Sequence, residues 1–497
     1  MTSTEIDRPQ STKAIDNPHH DRRWLILTVL GIAQLMVVLD GTVVNIALPS
    51  AQHALAFSDG NRQWIVTAYS LAFGSLLLLG GRLADLLGRK RMFLIGLVGF
   101  AIASAVGGAA DGFGMLVAAR AVQGAFGAML APAALSLLTT TFTHPKERAK
   151  AFGVYGAIAG GGAAIGLLLG GVLTEYLSWR WCMYINLIFA AAAFVGGLAW
   201  LRNQRAEHRP KLDIPGIVTV SAGLFALVYG FSHAETGGWA SATTVGFLIA
   251  GVVLLGAFLV VQTRSANPLL PLRILTDRNR GGSYLAIFVV GIGMFGIFLF
   301  LTYYLQATLG YSAVLTGVSF LPMTAGIMLS STIGSSFLAT RVGPRWIIGS
   351  GMLIAAVGMA LLTGIGLTSS FALHVLPGTV VMGIGIGLVF SSAMSLATAG
   401  VSSEDAGVAS AMVNTSQQIG GSIGTALLNT LAASAVTSYL VGHAAEGKGA
   451  AAMASVNGYT TAFWWAAGIF AVGGVLCGLI LRPEVPVMDP DVEIVHV

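Results

Sequence analysis

Residues 24–48 read WLILTVLGIAQLMVVLDGTVVNIAL, a run of apolar side chains interrupted by a single charged residue, Asp40. A helix of that length extends about 37 Å at 1.5 Å per residue, more than the roughly 30 Å thickness of a bilayer's hydrocarbon core. The run therefore predicts a membrane-spanning helix. No small-residue cleavage site precedes it, so we expect this first span to be retained and not removed as a signal peptide.

The composition extends this prediction to the whole chain. Of 497 residues, 55% are apolar and 9% are charged, whereas a soluble domain carries about 25% charged residues. This balance excludes a soluble enzyme and leaves no room for a large extramembrane domain. The formal net charge is +5, but the basic residues lie between apolar runs, so we predict a lipid bilayer as the partner and no nucleic acid.

Apolar runs of spanning length recur along the sequence, and we count fourteen of them. They lie at about 24–48, 63–81, 92–110, 113–139, 151–174, 181–201, 215–232, 241–262, 283–306, 314–337, 346–366, 371–395, 407–435 and 460–481. An even number of spans places both termini on the same side of the membrane.

The positions of the basic residues predict the orientation. With these fourteen runs, 22 of the 26 Lys and Arg residues lie on the side of the termini. Only Arg62, Arg180 and Lys448 lie on the opposite side, and Arg120 lies within a span. Basic loops face the cytoplasm, so both termini are predicted to be cytoplasmic. The excess of Arg over Lys is typical of a GC-rich bacterium, and we expect a multi-pass protein of the bacterial cell (inner) membrane.

Two charged, proline-bearing connections, at 202–214 and 263–282, divide the chain. They flank one pair of spans, so the predicted fold is an all-α membrane protein of two six-helix bundles with an inserted helix pair. Two similar halves around a central path are typical of transporters. The predicted parts are an N-terminal tail (1–23), a first bundle (24–201), the inserted pair with its flanking loops (202–282), a second bundle (283–481) and a C-terminal tail (482–497).

Asp40 is the one acid well inside a span, where a charge costs about 2.5–3.5 kcal/mol at the bilayer centre. We interpret it as a group that takes up and releases a proton; the alternative is that it caps a neighbouring helix near the outer end of its own.

Arg120 lies about seven residues into the fourth run. Helical spacing places it on one face with an amide, Gln123, and small residues that allow a partner helix to approach closely. The alternative is that its side chain extends to the nearer membrane surface.

The basic segment 81–91 carries a single acid, Asp85, between Gly81 and Gly88. A topological anchor needs only the bases. The acid favours a pairing of Asp85 with Arg89, or with a helix N-terminus, that forms in one transporter state only; a solvated loop is the alternative.

Further small and polar residues recur at helical spacing. Gly162, Gly166 and Gly170 predict close helix packing in the fifth span, either static or sliding. Asn414 and Gln417 belong to a polar stripe in the thirteenth run that lines a path or packs by hydrogen bonds. Tyr303 ends the ninth span. It belongs either to an aromatic belt at the membrane interface or to a substrate contact. The substrate-path hypothesis comprises Asn45, Gln123, Asn414, Gln417 and Tyr303.

Sites for cofactors are not indicated by any motif. Cys182 and Cys477 lie apart in apolar stretches without a CxxC pattern, so we expect neither a disulfide nor a metal site. The glycine runs lie within apolar helices, the wrong context for a nucleotide loop. ATP-driven transport would need a partner chain, and the sequence does not suggest one.

Five stretches in order resemble the fourteen-span drug:proton antiporters of the major facilitator superfamily, and the likeness covers nearly the whole chain. Residues 81–91 resemble the superfamily's loop signature, with Gly81, Asp85, Gly88, Arg89 and Lys90 in its expected places. The other stretches are 39–49, 120–124, Trp179-Arg180-Trp181 with Tyr184-Ile185-Asn186, and 404–410.

The resemblance implies a proton-driven exporter in which Asp40 carries the proton, Arg120 assists coupling, and Asp85 with Arg89 latches the cytoplasmic side. One departure stands out, because the Gly-Pro pairs usual in the family's fifth span are missing here. Without proline kinks, that span is predicted to be straighter.

We therefore expect a monomeric multidrug antiporter that exports amphipathic or lipophilic, often cationic, compounds in exchange for protons. The alternatives are a dedicated exporter of one antibiotic or metabolite and, from another class, a nontransporting membrane receptor or scaffold.

Overall fold

A computed structural model describes residues 22–58, 60–142, 145–202, 212–334, 338, 341–398, 406–443 and 448–483. Every regular element in these ranges is helical and none is a strand, so the all-α prediction is confirmed for this part of the chain. Most of both predicted tails, the basic residues of the loop 203–211 and the motif residues 404 and 405 lie outside the described residues.

Sixteen α-helices and two short π-helical turns make up the described structure. They are α1 (Arg23–Leu55), α2 (Gln63–Leu87), α3 (Arg89–Gly108), α4 (Phe113–Thr141), α5 (Pro145–Tyr176), α6 (Trp181–Trp200), α7 (Ile214–Gly237), α8 (Ala242–Arg264), α9 (Leu272–Thr276), α10 (Arg278–Tyr303), a π-turn (Tyr304–Thr308), α11 (Ala313–Ser319), α12 (Leu321–Ile333), α13 (Pro344–Leu362), a π-turn (Phe371–Val375), α14 (Leu376–Thr398), α15 (Ala406–Gly442) and α16 (Lys448–Ile480).

Thirteen of the described helical segments are long and apolar enough to cross a membrane. The fifth predicted span is not among them, because in the described part of α5 the apolar segment is shorter, Ala164–Tyr176. The count of fourteen spans, their arrangement and the domain boundaries therefore stay predictions.

Two predicted spans depart from a regular α-helix next to a proline, which lacks a backbone donor. The run 314–337 divides at Phe320 into α11 and α12, and Pro322 lies in the first turn of α12. The run 371–395 begins with a π-turn just before Pro377. A third interruption, the π-turn that follows α10, has no proline beside it.

The segment 81–91 also differs from its prediction as a loop. Helix α2 continues to Leu87 and α3 begins at Arg89, so that Gly88 alone separates them. Its φ of +97° lies in the left-handed region that glycine adopts most readily. The basic residues extend the helices beyond their apolar segments.

We call helices α1–α6 the first group and helices α10–α16 the second group. Contacts occur within each group, and between the groups α2 packs on α15 and α5 on α11. Helix α7 packs on α8 and also contacts α2 and α15. We call the end of the bundle where α1 finishes and α2 begins the far end, and the opposite end the near end.

Candidate functional site: a buried carboxylate network

Asp40 lies on α1 with 1% of its surface exposed, and its carboxylate accepts three hydrogen bonds. Oδ2 accepts from Nη1 of Arg120 at 2.6 Å. Oδ1 accepts from Nε2 of Gln123 at 3.0 Å and from Nδ2 of Asn186 at 2.7 Å. Donors from α4 and α6 thus converge on one acid inside the first group of helices.

A second layer of contacts holds these donors. The hydroxyl oxygen of Ser104, on α3, accepts from Nε2 of Gln123 at 2.6 Å and from Nδ2 of Asn186 at 3.3 Å. Arg120 donates from Nε to the carbonyl of Ile65 at 3.2 Å. Five helices, α1, α2, α3, α4 and α6, therefore contribute to one polar centre.

Arg120 has partners besides Asp40. Its Nη1 also donates to Oε1 of Gln123 at 2.9 Å, and its guanidinium carbon lies 4.3 Å from the centroid of the Tyr69 ring. Such a ring face attracts a cation, more strongly when water is excluded. The 2% exposure of Arg120 shows that its side chain does not extend to a membrane surface.

Small residues allow α2 to approach α4 at this centre. A Cβ atom added to Gly124 would contact the backbone carbonyl of Tyr69, and one added to Gly127 would lie 2.9 Å from the Phe73 ring. The close approach brings the carbonyl of Ile65 within reach of Arg120.

The predicted glycine stripe of α5 packs against α1. Added Cβ atoms would lie 3.1 Å from Val38 at Gly162 and 3.0 Å from the Val43 backbone at Gly170, and Gly166 faces Thr42. These glycines bring α5 against the segment of α1 that carries Asp40.

At the far end, the two groups of helices touch through polar contacts. The Tyr303 hydroxyl donates to Oε1 of Gln52, and the Arg62 guanidinium lies 4.2 Å from the Tyr303 ring centroid. Nε2 of Gln306 donates to the carbonyl of Ile46 at 3.1 Å. These far-end contacts join α1 and Arg62, the residue before α2, to the second group.

Glu175 adds a charged contact between the groups, just beyond the predicted fifth span. Its carboxylate accepts from the backbone N–H of Val314 at 2.9 Å. This bond, with a further one from the Ser312 hydroxyl, lowers the pKa of the exposed Glu175 carboxyl. Protonation at low pH would therefore weaken this contact, which is present at neutral pH.

The sequence profile of the Major Facilitator Superfamily matches residues 30–425. This chain belongs to that superfamily. It is a multi-pass membrane transporter and not an enzyme.

Two similar proteins carry functional names. The puromycin resistance protein pur8 of Streptomyces alboniger is 49% identical over 97% of this chain and 95% of its own length. The cephamycin export protein CmcT of Amycolatopsis lactamdurans is 38% identical over 81% and 83%. A similar fold appears in a bacterial homolog of the human lysosomal transporter Spinster, solved in an inward-facing, unoccupied conformation. That structure has a TM-score of 0.65 and 17% identity, covering 92% of this transporter and 96% of the homolog.

The structure gives hydrogen bonds for three of the five residues proposed for the substrate path. Gln123 lies in the Asp40 network, and Tyr303 lies at the far end. Asn45 donates to the carbonyl of Gly41 in its own helix at 2.8 Å. Asn414 and Gln417 are partly buried on α15. Their contact with substrate stays a prediction.

The latch hypothesis also stays a prediction, because the side chain of Asp85 lies outside the described residues. Gly81 packs near Pro132, with 3.7 Å from an added Cβ to that ring. Two neighbouring bases bind carbonyl groups: Arg82 donates to Pro268 at 2.8 Å and Lys90 to Leu201 at 2.5 Å.

Sequence reasoning missed the roles of Asn186 and Ser104. Asn186 is an amide within the apolar run 181–201, and that isolated polarity is a signal that could have marked it. Ser104 offers no such signal, since serine is common in membrane helices and often bonds its own backbone.

Substitution of Gly124 by Ala tests the close approach of α2 and α4. The added methyl group would push α2 away from α4 and lengthen the Arg120–Ile65 bond. We expect a loss of stability of about 1–3 kcal/mol, as is typical of overpacking, and reduced transport. Thermal unfolding in detergent measures the first effect.

Gly114→Ala is the matched control, because an added Cβ on this other glycine of α4 would meet no atom within 4 Å. We expect the control to be neutral or slightly stabilising, since alanine favours helix over glycine. Equal behaviour of the two variants would contradict the close approach.

Proposed function

We propose that this transporter is an antiporter that exports amphipathic or lipophilic, often cationic, compounds in exchange for protons, with Asp40 as the proton carrier. The observation that carries the proposal is the burial of the Asp40 carboxylate at 2.6 Å from Arg120. An acid inside a membrane span is costly unless it is paired or neutral. Conversion between these two forms is the chemistry that proton coupling needs.

The network can hold both charge states of Asp40. The ionised acid is balanced by Arg120 and two amide donors. When the acid becomes neutral, Arg120 retains Gln123 Oε1, the Ile65 carbonyl and the Tyr69 ring as partners. A buried cation without partners would strongly destabilise the protein. Because Arg120 keeps these partners, protonation of Asp40 does not create that situation.

Alternating access requires the far-end contacts to break and re-form. We propose that the present arrangement is closed at the far end and that this end faces the cell exterior, with both termini in the cytoplasm of a bacterium. Gly81, Asp85, Gly88 and Arg89 would form the corresponding latch at the cytoplasmic end, and one chain would suffice for transport.

A second candidate function is dedicated export of one antibiotic. It is favoured by the names of the two relatives, which refer to puromycin and to cephamycin and not to drugs in general. Both candidates use the same coupling chemistry, and they differ in how many compounds the path accepts.

Transport into proteoliposomes tests the proposal. Purified full-length protein is reconstituted into vesicles with an acidic lumen, and uptake is measured for puromycin, a cephamycin and tetraphenylphosphonium. We expect accumulation with simultaneous proton exit. A force equivalent to 100 mV supplies about 2.3 kcal/mol per charge, which supports up to roughly a fifty-fold gradient for one proton.

A protonophore is the control, because it should abolish accumulation. Accumulation that persists in its presence would contradict antiport. Uptake of puromycin alone would favour the dedicated exporter, and uptake of all three compounds would favour the broad one.

A further inference from the structure

Helix α7 joins the two groups of helices at the far end. Nε2 of Gln63, on α2, donates to the hydroxyl of Ser232 at 2.8 Å. The hydroxyl of Thr430, on α15, donates to the carbonyl of Phe231 at 2.8 Å. Because Phe231 and Ser232 are adjacent, one short piece of α7 binds both sides of the α2–α15 seam.

Both donors in these contacts have a second acceptor close by. Gln63 Nε2 also lies 3.3 Å from the carbonyl of Gly60, and the Thr430 hydroxyl lies 2.9 Å from the carbonyl of Ala426 in its own helix. A buried donor that loses its only partner costs free energy. The amide of Gln63 has two N–H groups and keeps its bond to Gly60 when the α7 contact is lost, and the single hydroxyl hydrogen of Thr430 can turn to Ala426. The α7 contacts can therefore break without leaving either donor unpaired.

The seam beside α7 is polar. Gln63, Thr67 and Ser70 share one face of α2 at helical spacing, and each is at most 1% exposed. Within the described part of the chain, Gln63 Oε1, Thr67 Oγ1 and Ser70 Oγ have no hydrogen-bond partner. On the same face, Gly74 packs on Gln418 of α15, 3.1 Å from an added Cβ.

Oxygen atoms without partners are costly in a closed seam and regain hydrogen bonds when water enters. This imbalance opposes permanent closure of the seam. The bonds from α7 stabilise the closed seam, because they form only while α2 and α15 lie close together.

The inserted pair is held more firmly at the near end. Asp213 caps α7 by accepting from the N–H of Gly216 at 3.1 Å, and its other oxygen accepts from Gln262 of α8 at 2.7 Å. Gln262 in turn accepts from the N–H of Leu270 at 2.9 Å. Because Arg82 of α2 binds the carbonyl of Pro268 in the same connection, the pair is anchored there by a buried network.

From these contacts we infer that α7 is a reversible strap across the α2–α15 seam. It stabilises the closed far end, and its contacts must release at least one of the two groups before that end can open. The inference rests on the alternating access of the proposed function, but its test does not depend on proton coupling or on the identity of the substrate.

Distance measurement between spin labels tests the strap. Ala54 on α1 and Ala307 in the first π-turn are both exposed at the far end and are replaced by Cys for labelling. The background carries Cys182→Ala and Cys477→Ala, which removes the two native cysteines. In the full-length protein, we expect Ser232→Ala with Thr430→Val to raise the ratio of long to short distances by about three- to ten-fold. This double variant removes both α7 contacts and keeps the Gln63 side chain in place.

Thr430→Val alone nearly preserves side-chain volume and serves as the second variant, with a smaller shift in the same direction. Thr219→Val is the matched control, because among the described residues the Thr219 hydroxyl on α7 bonds carbonyl groups of its own helix and no other. The control should leave the distances unchanged. An unchanged or lower ratio of long to short distances in both Thr430 variants would overturn the strap. If that ratio shifts as expected but vesicles show no proton exit, the antiport proposal alone is overturned.

Discussion

Replacement of Asp40 by Asn is expected to abolish proton-driven accumulation and to leave the transporter folded. The amide has the shape of the neutral acid but cannot release a proton. Arg120 keeps its contacts with Gln123, Ile65 and Tyr69, so the variant resembles a charge state that the wild-type network already holds. In vesicles, accumulation should fall from as much as roughly fifty-fold to no gradient.

Two further measurements separate lost coupling from lost folding. Counterflow, in which labelled substrate exchanges with unlabelled substrate, needs no net proton movement and should persist in Asp40→Asn. Asp277→Asn is the control, because Asp277 caps α10 and Asn caps a helix about as well as Asp. If Asp40→Asn still accumulates substrate to the normal level under a pH gradient, the role of Asp40 is refuted.

Replacement of Arg120 by Met is expected to have the second large effect, on stability as well as on coupling. Methionine keeps an extended side chain but leaves the Asp40 carboxylate without its cation. Removal of one partner of a buried ion pair typically costs about 3–5 kcal/mol. We expect a lower unfolding temperature, reduced yield and loss of proton-driven accumulation.

The double variant Asp40→Asn/Arg120→Met distinguishes this explanation from simple loss of packing. If the unpaired carboxylate causes the instability, the double variant should recover most of the unfolding temperature while remaining uncoupled. The difference from additivity then measures the interaction between the two residues. Additive losses in the double variant would show that Arg120 acts through its packing and not through its charge.

Hydropathy was sufficient to predict an all-helical membrane protein, because lipid requires backbone polar groups to be bonded within each span. The predicted ends were less accurate. The run 460–481 corresponds to α16, which begins at Lys448, because the alanines of 450–454 favour helix without being strongly hydrophobic. The break at Phe320 was not predicted, because its position depends both on the N–H that the nearby proline lacks and on local packing.

For the site, the sequence marked Asp40 and Arg120 because charges are rare in spans, but it left open whether they touch. The 2.6 Å contact depends on how α1 and α4 pack. Glycines of α4 allow α2 to approach that helix, and glycines of α5 allow α5 to approach α1. The part played by Ser104 could not be predicted, because a serine shows its role only when two amides from other helices converge on it.

The sequence by itself determined the membrane environment, the helical class and the few charged residues that lipid makes conspicuous, since these follow from local hydropathy and from the cost of burying charge. Only the tertiary structure decided which polar groups meet: the Asp40 network, the far-end contacts and the bridge of α7 between α2 and α15. Such pairings between helices join residues from 19 to 260 positions apart. They depend on helix packing over distances that no local pattern encodes.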